Sequence, residues 1–129
     1  MIDHAREGAD PLTGRVVACA IKVHSALGAG LLEGVYEVCL AHELSKSGLA
    51  VQRQLPLPVS YDGVRLDAGY RIDLLVENTV IVEVKSVDKL MPLHTAQLLT
   101  YLRLARLKTG LLINFNVTHL REGIKRVSN

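Results

Sequence analysis

The stretch from residue 70 to residue 86 constrains the fold of this chain most strongly. Apolar and polar side chains alternate there on both sides of Glu77-Asn78-Thr79. The apolar positions are Ile72, Leu74, Val76, Val80, Val82 and Val84. Because successive side chains of a strand point to opposite faces, the pattern predicts a hairpin of two central strands with an apolar face against helices.

The other face of the predicted hairpin carries charged side chains. These are Arg71, Asp73, Glu83 and Lys85. Asp73 and Glu83 are ten residues apart, centred on Asn78. A three-residue loop would therefore set them directly opposite each other, with Cβ atoms about 5 Å apart. A two-residue loop would pair Asp73 with Val84, which points to the other face, so a site here requires an odd loop or a bulge.

Two carboxylates that close would repel each other, and one would keep its proton unless a cation lies between them. Mg²⁺ fits this position, because it takes carboxylate, carbonyl and water oxygens and acts on phosphates; Mn²⁺ is an alternative. Lys85 emerges from the same face two residues after Glu83. Its ammonium could orient a water or stabilise charge that develops on a phosphate in the transition state.

A structural explanation stands beside this one. Charges on one face of a hairpin usually mark a solvated face, and a D…E-x-K pattern arises easily by chance. However, Leu75 and Ile81 share the charged face. Strands covered on both sides are typical of the centre of a sheet, and charges on a covered face need a reason.

Helical periodicity predicts two helices before the hairpin and one after it. The first spans about 12–27 and ends at Gly28-Ala29-Gly30; the second spans about 31–47, directs Leu32, Val35, Cys39 and Leu40 inward, and ends at Gly48. The third begins near Pro92 and reaches about residue 108, with Gly110 as its stop. Proline suits the first helical turn, and glycine suits the residue after a helix.

The remaining segments predict strands. Residues 51–61 contain Pro56 and Pro58, which suit an edge strand, and Asp62-Gly63 predicts a hairpin turn into 64–66. Residues 110–117 form another predicted strand, and the tail from 118 to 129 fits no single element. The order α-α-β-β-β-β-α-β predicts a mixed α/β domain.

Composition bounds the remaining possibilities. A length of 129 residues predicts one domain, with 1–11 as a flexible N-terminal segment. Two isolated cysteines, the lack of a long apolar run and the lack of a signal-peptide pattern predict a cytoplasmic protein that has no membrane partner. A net charge of +2 and 4% aromatic residues leave little for nonspecific nucleic-acid binding or base stacking, so any such role requires a local site.

Asp73 followed by Glu83-Val84-Lys85 on a hairpin resembles the core of the PD-(D/E)xK nucleases. Gly30-Leu31-Leu32-Glu33-Gly34-Val35-Tyr36 is similar to the G-x-x-E-x-x-Y signature of the GxxExxY proteins, small proteins placed in that superfamily. The likeness covers about 13–127, although Ile72 stands where the superfamily's name has proline. It implies a restriction-endonuclease-like mixed sheet with two N-terminal helices and one helix after the E-x-K strand.

The resemblance extends the candidate site. It implies that Glu33 joins Asp73 and Glu83 at the metal, although an acid there could simply stabilise a helix N-terminus. The RecB-like branch has a Q-x-x-x-Y motif that Gln97 and Tyr101 match, and the resemblance implies that they position lysine, water or phosphate. Both could equally be ordinary residues of a partly exposed helix.

Two arginines of the third helix are candidates for nucleic-acid contact. Arg103 and Arg106 are spaced to share one helix face and could bind phosphates. A solvated helix face explains them equally well.

The leading hypothesis is therefore a Mg²⁺-dependent nuclease that hydrolyses DNA, selected by DNA structure or directed by a protein partner. Cutting both strands of a duplex needs two sites, which a homodimer would supply. The alternative is a catalytically silent nuclease-like fold that binds nucleic acid or serves in an assembly.

Overall fold

The computed structural model describes residues 10–129. Of the segment 1–11 that the sequence predicts to be flexible, residues 1–9 lie outside the described part of the chain. Asp10 and Pro11 instead start the first helix. Pro11 is its first residue, and the Asp10 carboxylate accepts a hydrogen bond from the backbone amide of Thr13 at 3.4 Å, which is the usual role of an aspartate at this position.

Between residues 10 and 129 there are three helices, in the predicted order, and seven strands, because the predicted strand 51–61 is divided into two and the tail forms a further strand. The helices are α1 (Pro11–Leu27), α2 (Glu33–Lys46) and α3 (Pro92–Ala105). The strands are β1 (Val51–Pro56), β2 (Val59–Tyr61), β3 (Val64–Leu66), β4 (Arg71–Val76), β5 (Val80–Lys85), β6 (Thr109–Asn114) and β7 (Ile124–Ser128). A short 3₁₀ turn, Leu120–Gly123, leads into β7.

Five strands form a mixed sheet in the order β1-β4-β5-β6-β7, and β2 and β3 form a separate hairpin. Only β5 and β6 of this sheet are parallel, and α3 is the crossover between them. The predicted edge position of β1 and the central position of β4 and β5 are confirmed. This is the restriction-endonuclease-like α/β architecture that the resemblance implies.

Helices cover both faces of the sheet. One apolar cluster joins α1 and α2 to Leu74, Val76, Val82 and other inward residues. The second joins α3 to the opposite face, which includes Leu75 and Ile81. The expectation that the hairpin is covered on both sides is therefore confirmed.

The side-chain alternation of β4 breaks at Asp73. Leu74 packs toward α1 and α2, whereas Ile72 packs toward α3, so the expectation that they share a face is wrong. The β1–β4 register is interrupted at Asp73 and at Gln54, which has a positive φ of 52°. A residue in that conformation re-aims the side chains on either side of it, as at a bulge.

The second helix begins two residues later than predicted, and its buried face differs. Leu32 and Val35 are 80% and 41% exposed, so the expectation that they point inward is wrong. Tyr36 and Leu40 are fully buried instead. Leu32 precedes the helix, and the buried stripe follows Tyr36, Leu40 and Leu44 at a spacing of four residues. None of the helices between residues 10 and 129 is long and apolar enough to cross a membrane.

Candidate active site

The β4–β5 hairpin has the loop that a carboxylate pair requires. Val76 pairs with Val80, which leaves a loop of three residues, and the regular register continues to Leu74 and Val82. Both Glu77 and Asn78 in this loop have positive φ, of 53° and 55°. The prediction of an odd loop is confirmed, and the register places Asp73 across from Glu83.

Beyond that point, carboxylates replace the backbone bonds between the strands. The Asp73 amide donates to Glu83 Oε2 at 2.9 Å, and the Val84 amide donates to Asp73 Oδ2 at 2.9 Å. Each carboxyl is therefore inserted between the two strands and held by the backbone of the other. This arrangement leaves the second oxygen of each group without a hydrogen bond from the backbone.

Burial raises the pKa of both carboxyls, and neighbouring negative charges raise it further. Burial is the larger cause for Asp73, whose pKa rises to about 6. The pKa of Glu83 rises to about 8, first because of burial and then because of the negative charge of Asp73. The positive charge of Lys85 lowers both pKa values. The pair therefore resists full ionisation at neutral pH, which is the electrostatic situation that a bound cation relieves.

A third carboxylate lies near this pair, and sequence reasoning did not single it out. Glu37 is buried on α2 and accepts hydrogen bonds from the Gln54 side chain at 2.9 and 3.0 Å and from Arg53 at 3.1 Å. The same Gln54 amide lies 3.4 Å from Asp73 Oδ1 and so bridges the two acids. The negative charge of Glu37 also raises the pKa of Asp73. In the sequence, the signal for Glu37 was its position four residues after Glu33, which is one helical turn.

Glu33 lies at the same end of the sheet but is engaged elsewhere. Its Oε2 accepts a hydrogen bond from the Ser86 amide at 3.2 Å, directly after β5. Ser86 Oγ donates to the Leu31 carbonyl at 2.7 Å. Among residues 10–129, no group of three or more His, Cys, Asp or Glu side chains is arranged to hold a metal ion. The donor set that is already assembled is thus the pair Asp73 and Glu83.

The tyrosine of the G-x-x-E-x-x-Y segment is a core residue. The Tyr36 hydroxyl donates to the Gly28 carbonyl at 2.6 Å and accepts from the Leu31 amide at 3.1 Å. Its ring stacks on Phe115 with centroids 4.6 Å apart. Gly30 adopts a φ of 97°, which favours glycine. The motif therefore shapes the loop that brings Glu33 to Ser86.

A second residue that the sequence did not single out holds the segment after Lys85. Asn114 is buried and pairs with Lys85 in the parallel β5–β6 register. Its side chain accepts from the Val87 amide at 3.1 Å and donates to the Val87 carbonyl at 2.9 Å. In the sequence, the signal was an asparagine that directly follows the apolar run of a predicted strand. Asn114 fixes the chain directly beyond the candidate lysine.

Gln97 and Tyr101 of α3 line one groove of about 640 Å³. Val59 and Tyr70 lie on its opposite side. Burial raises the pKa of Tyr101, and the charges of Glu83 and Asp73 raise it further. The phenol is therefore protonated at neutral pH and lies near the carboxylate pair.

The two candidate arginines do not share a helix face. Arg103 is exposed on α3, but the helix ends at Ala105, and Arg106 adopts a left-handed φ of 57°. Arg106 lies beside Thr79, at the turn end of β5. Lys85 is at the other end of that strand, roughly 16 Å away by the rise per residue. The expectation of a common face is wrong because the helix stops earlier than its periodicity suggested.

Comparison with known families agrees with this architecture. A family model described as the PD-(D/E)XK nuclease superfamily matches residues 10–127. The chain belongs to this superfamily. Membership indicates nuclease activity and an interaction with nucleic acid. Members of the superfamily generally use divalent metal ions. No curated protein and no solved structure gives a significant match.

Proposed function

We propose that this protein is a divalent-metal-dependent nuclease that hydrolyses DNA phosphodiester bonds, with Mg²⁺ as the working ion and Mn²⁺ as a substitute. The main support is the Asp73–Glu83 pair. The buried Glu83 carboxyl and the half-buried Asp73 carboxyl lie across from each other where the strands separate, and Lys85 follows on the same strand as Glu83. A solvated hairpin face would not raise their pKa values to about 6 and about 8.

The donor set suits a hard divalent cation. Asp73 and Glu83 would hold the ion through the carboxylate oxygens that accept no backbone hydrogen bond, with water in the remaining positions. When bound, the ion would polarise a phosphate oxygen and lower the pKa of a bound water. For Glu33 to join as a third ligand, its carboxylate must release the Ser86 amide; Glu37 must likewise release Gln54.

The remaining residues have roles in the proposed hydrolysis. A water oxygen attacks phosphorus and the water gives up a proton, the bond to one ester oxygen breaks, and the leaving oxygen takes up a proton. The net change is the addition of one water across the P–O bond. The Lys85 ammonium orients the water and stabilises the charge that grows on the phosphate. The Tyr101 phenol donates a hydrogen bond to a phosphate oxygen or to the water, and Gln97 positions these groups from the same helix.

We further propose that the chain belongs to the GxxExxY group and to the RecB-like branch. The loop held by Tyr36 and the groove lined by Gln97 and Tyr101 support these assignments. The same proposal includes two further points. The substrate is selected by DNA structure or by a partner protein, and two copies of the chain cleave both strands of a duplex.

The experiment uses purified protein with single-stranded, branched and linear duplex DNA, and with single-stranded RNA, in Mg²⁺ or Mn²⁺. Wild type should cut DNA, while Asp73→Asn and Lys85→Ala should not. Asp67→Asn and Lys125→Ala, exposed residues of the same types, serve as controls. Cleavage that survives both site substitutions would reject the site. Exclusive cleavage of RNA would reject the DNA substrate.

Calorimetric titration with Mg²⁺ or Mn²⁺ tests the ligands independently of turnover. Glu83→Ala should abolish binding. Comparison of Glu33→Gln with Glu37→Gln then identifies the third carboxylate. A protein that binds DNA with full affinity but neither binds metal nor cuts any substrate is the silent binding module, and the proposed function is then wrong.

A further inference from the structure

Two of the four tyrosines of the chain, Tyr61 and Tyr70, are exposed, and a third, Tyr101, is buried in the α3 cluster but lines the same groove as Tyr70. Tyr36 and Phe115 are stacked in the interior. Tyr61 ends β2, Tyr70 directly precedes β4, and Tyr101 lies on α3. The low aromatic content leaves little for base stacking, but three of the five aromatic residues lie on elements around one groove.

The β2–β3 hairpin presents a single apolar face. Its register pairs Val59 with Leu66 and Tyr61 with Val64, and side chains directly opposite in an antiparallel pair share a face. Tyr61 is 75% exposed, and Val64 and Leu66 are also exposed. Asp62 and Gly63 form a tight two-residue turn, with φ of 50° and 77°, which fixes the register of the two strands. This small hairpin therefore holds apolar side chains in the solvent.

This apolar face continues into the groove beside the carboxylates. Val59 belongs to both, and Tyr70 faces Tyr101 across the groove with ring centroids 6.1 Å apart and planes tilted by 56°. Tyr70 is 45% exposed. Polar side chains stand among these apolar groups on the α3 wall: His94, Gln97 and Thr100. We name the surface formed by Tyr61, Val59, Tyr70 and Tyr101 the tyrosine wall.

The chemistry of the tyrosine wall selects a nucleobase as its occupant. An unpaired base offers a flat face for stacking and an edge for hydrogen bonds, which matches exposed tyrosines with amide, imidazole and hydroxyl groups beside them. Tyr101 lines the groove together with Tyr70, which lies directly before β4 and three residues before Asp73, so the wall begins next to the proposed site for the phosphate. The three polar groups match the donors and acceptors on the edge of a base, which an all-apolar side chain lacks. Bases within a duplex are stacked on each other and cannot reach this surface.

We propose that the tyrosine wall binds unpaired bases next to the scissile phosphate, so that the substrate is a single strand or a duplex with unpaired nucleotides. This inference rests on the proposed nuclease function and specifies its substrate class. Tyr70 and Tyr61 are specificity residues that bind successive bases of the strand. They do not contact the reacting atoms.

The test separates binding from cleavage by using the Asp73→Asn protein. Single-stranded 12-mers carrying one 2-aminopurine at each position in turn are titrated in Mg²⁺, together with a 12-bp duplex. Stacking should quench the fluorophore at some positions. In this background, Tyr70→Ala and Tyr61→Ala should each weaken single-strand binding roughly 5- to 150-fold, the range expected for the loss of one stacked base. Tyr70→Phe, which keeps the ring, should bind normally.

Duplex affinity should change by less than twofold in all variants. Val38→Ala, at a half-exposed apolar site on α2, controls for loss of exposed apolar surface. Thermal unfolding of each variant checks that the fold is intact, and the exposed position of Tyr61 makes its substitution structurally mild.

The outcomes are distinguishable. Tyrosine-dependent quenching in a protein that cuts nothing leaves base binding in place and rejects the nuclease function. Cleavage that requires Asp73 but prefers single strands equally in wild type and Tyr70→Ala rejects the tyrosine wall and leaves the nuclease. Unchanged single-strand affinity in both alanine variants shows that the wall binds no bases and overturns the inference.

Discussion

The two ends of the β4–β5 hairpin use the same two strands in different ways. At the turn end, Val76 and Val80 pair in a regular ladder, and their side chains join the core. At the other end, the Asp73 and Glu83 carboxyls accept backbone amides and carry raised pKa values. The turn end therefore stabilises the fold, and the open end uses part of that stability to keep two like charges together. Each prediction below tests this division.

The largest loss of stability should come from a substitution on the turn-end side of the hairpin, where the strands pair regularly. Leu74→Ala removes a fully buried side chain from the cluster beneath α1 and α2. We expect a loss of about 2–5 kcal/mol in the free energy of unfolding, because the rigid surroundings cannot close the cavity. Urea denaturation followed by circular dichroism measures it. A loss below 1 kcal/mol would show that this end of the hairpin does not anchor the core.

At the open end, Glu83→Gln should change the free energy of unfolding in the opposite direction. A carboxyl with a raised folded-state pKa binds its proton more tightly in the folded protein, so stability falls as pH rises from about 4.5 toward about 8. We expect metal-free Glu83→Gln to be more stable than wild type at pH 8, by on the order of 1–3 kcal/mol. The difference should vanish near pH 4, and denaturation in EDTA across this range measures it. Equal pH slopes would mean that Glu83 carries no electrostatic strain.

Divalent metal should relieve the same strain in wild type. At pH 8, 10 mM Mg²⁺ should raise the unfolding free energy by about 1.4 kcal/mol if the dissociation constant is near 1 mM. At pH 5 the increase should be smaller, because protonated carboxyls do not bind metal. Thermal unfolding with and without Mg²⁺ measures both, and Asp73→Asn is the control that should not respond. A larger gain at pH 5 would contradict binding by this pair.

The difference between the two ends also explains what the sequence could predict. Alternation and a central loop are local features, so the register that sets Asp73 opposite Glu83 follows from residue spacing. The break at Gln54 and Asp73 depends on two strands distant in sequence, and this break reverses the direction of Ile72. Glu37 reaches the site through Gln54 of an edge strand, a contact that helical periodicity alone cannot indicate. The tyrosine wall likewise depends on residues distant in sequence, Val59, Tyr70 and Tyr101, that line one groove.

The smallest effect should come from the loop that attaches α2 to the open end. Tyr36→Phe removes the hydroxyl that bonds Gly28 and Leu31 but keeps the ring stacked on Phe115. We expect a loss of about 1 kcal/mol in unfolding free energy, the net worth of a typical intramolecular hydrogen bond. The maximal rate of DNA cleavage should stay within about threefold of wild type at a temperature where both proteins are folded, because this hydroxyl points at backbone and not at Asp73 or Glu83. A hundredfold loss of rate with unchanged stability would instead place Tyr36 among the groups that act on substrate, and the open end would then extend into the core beneath α2.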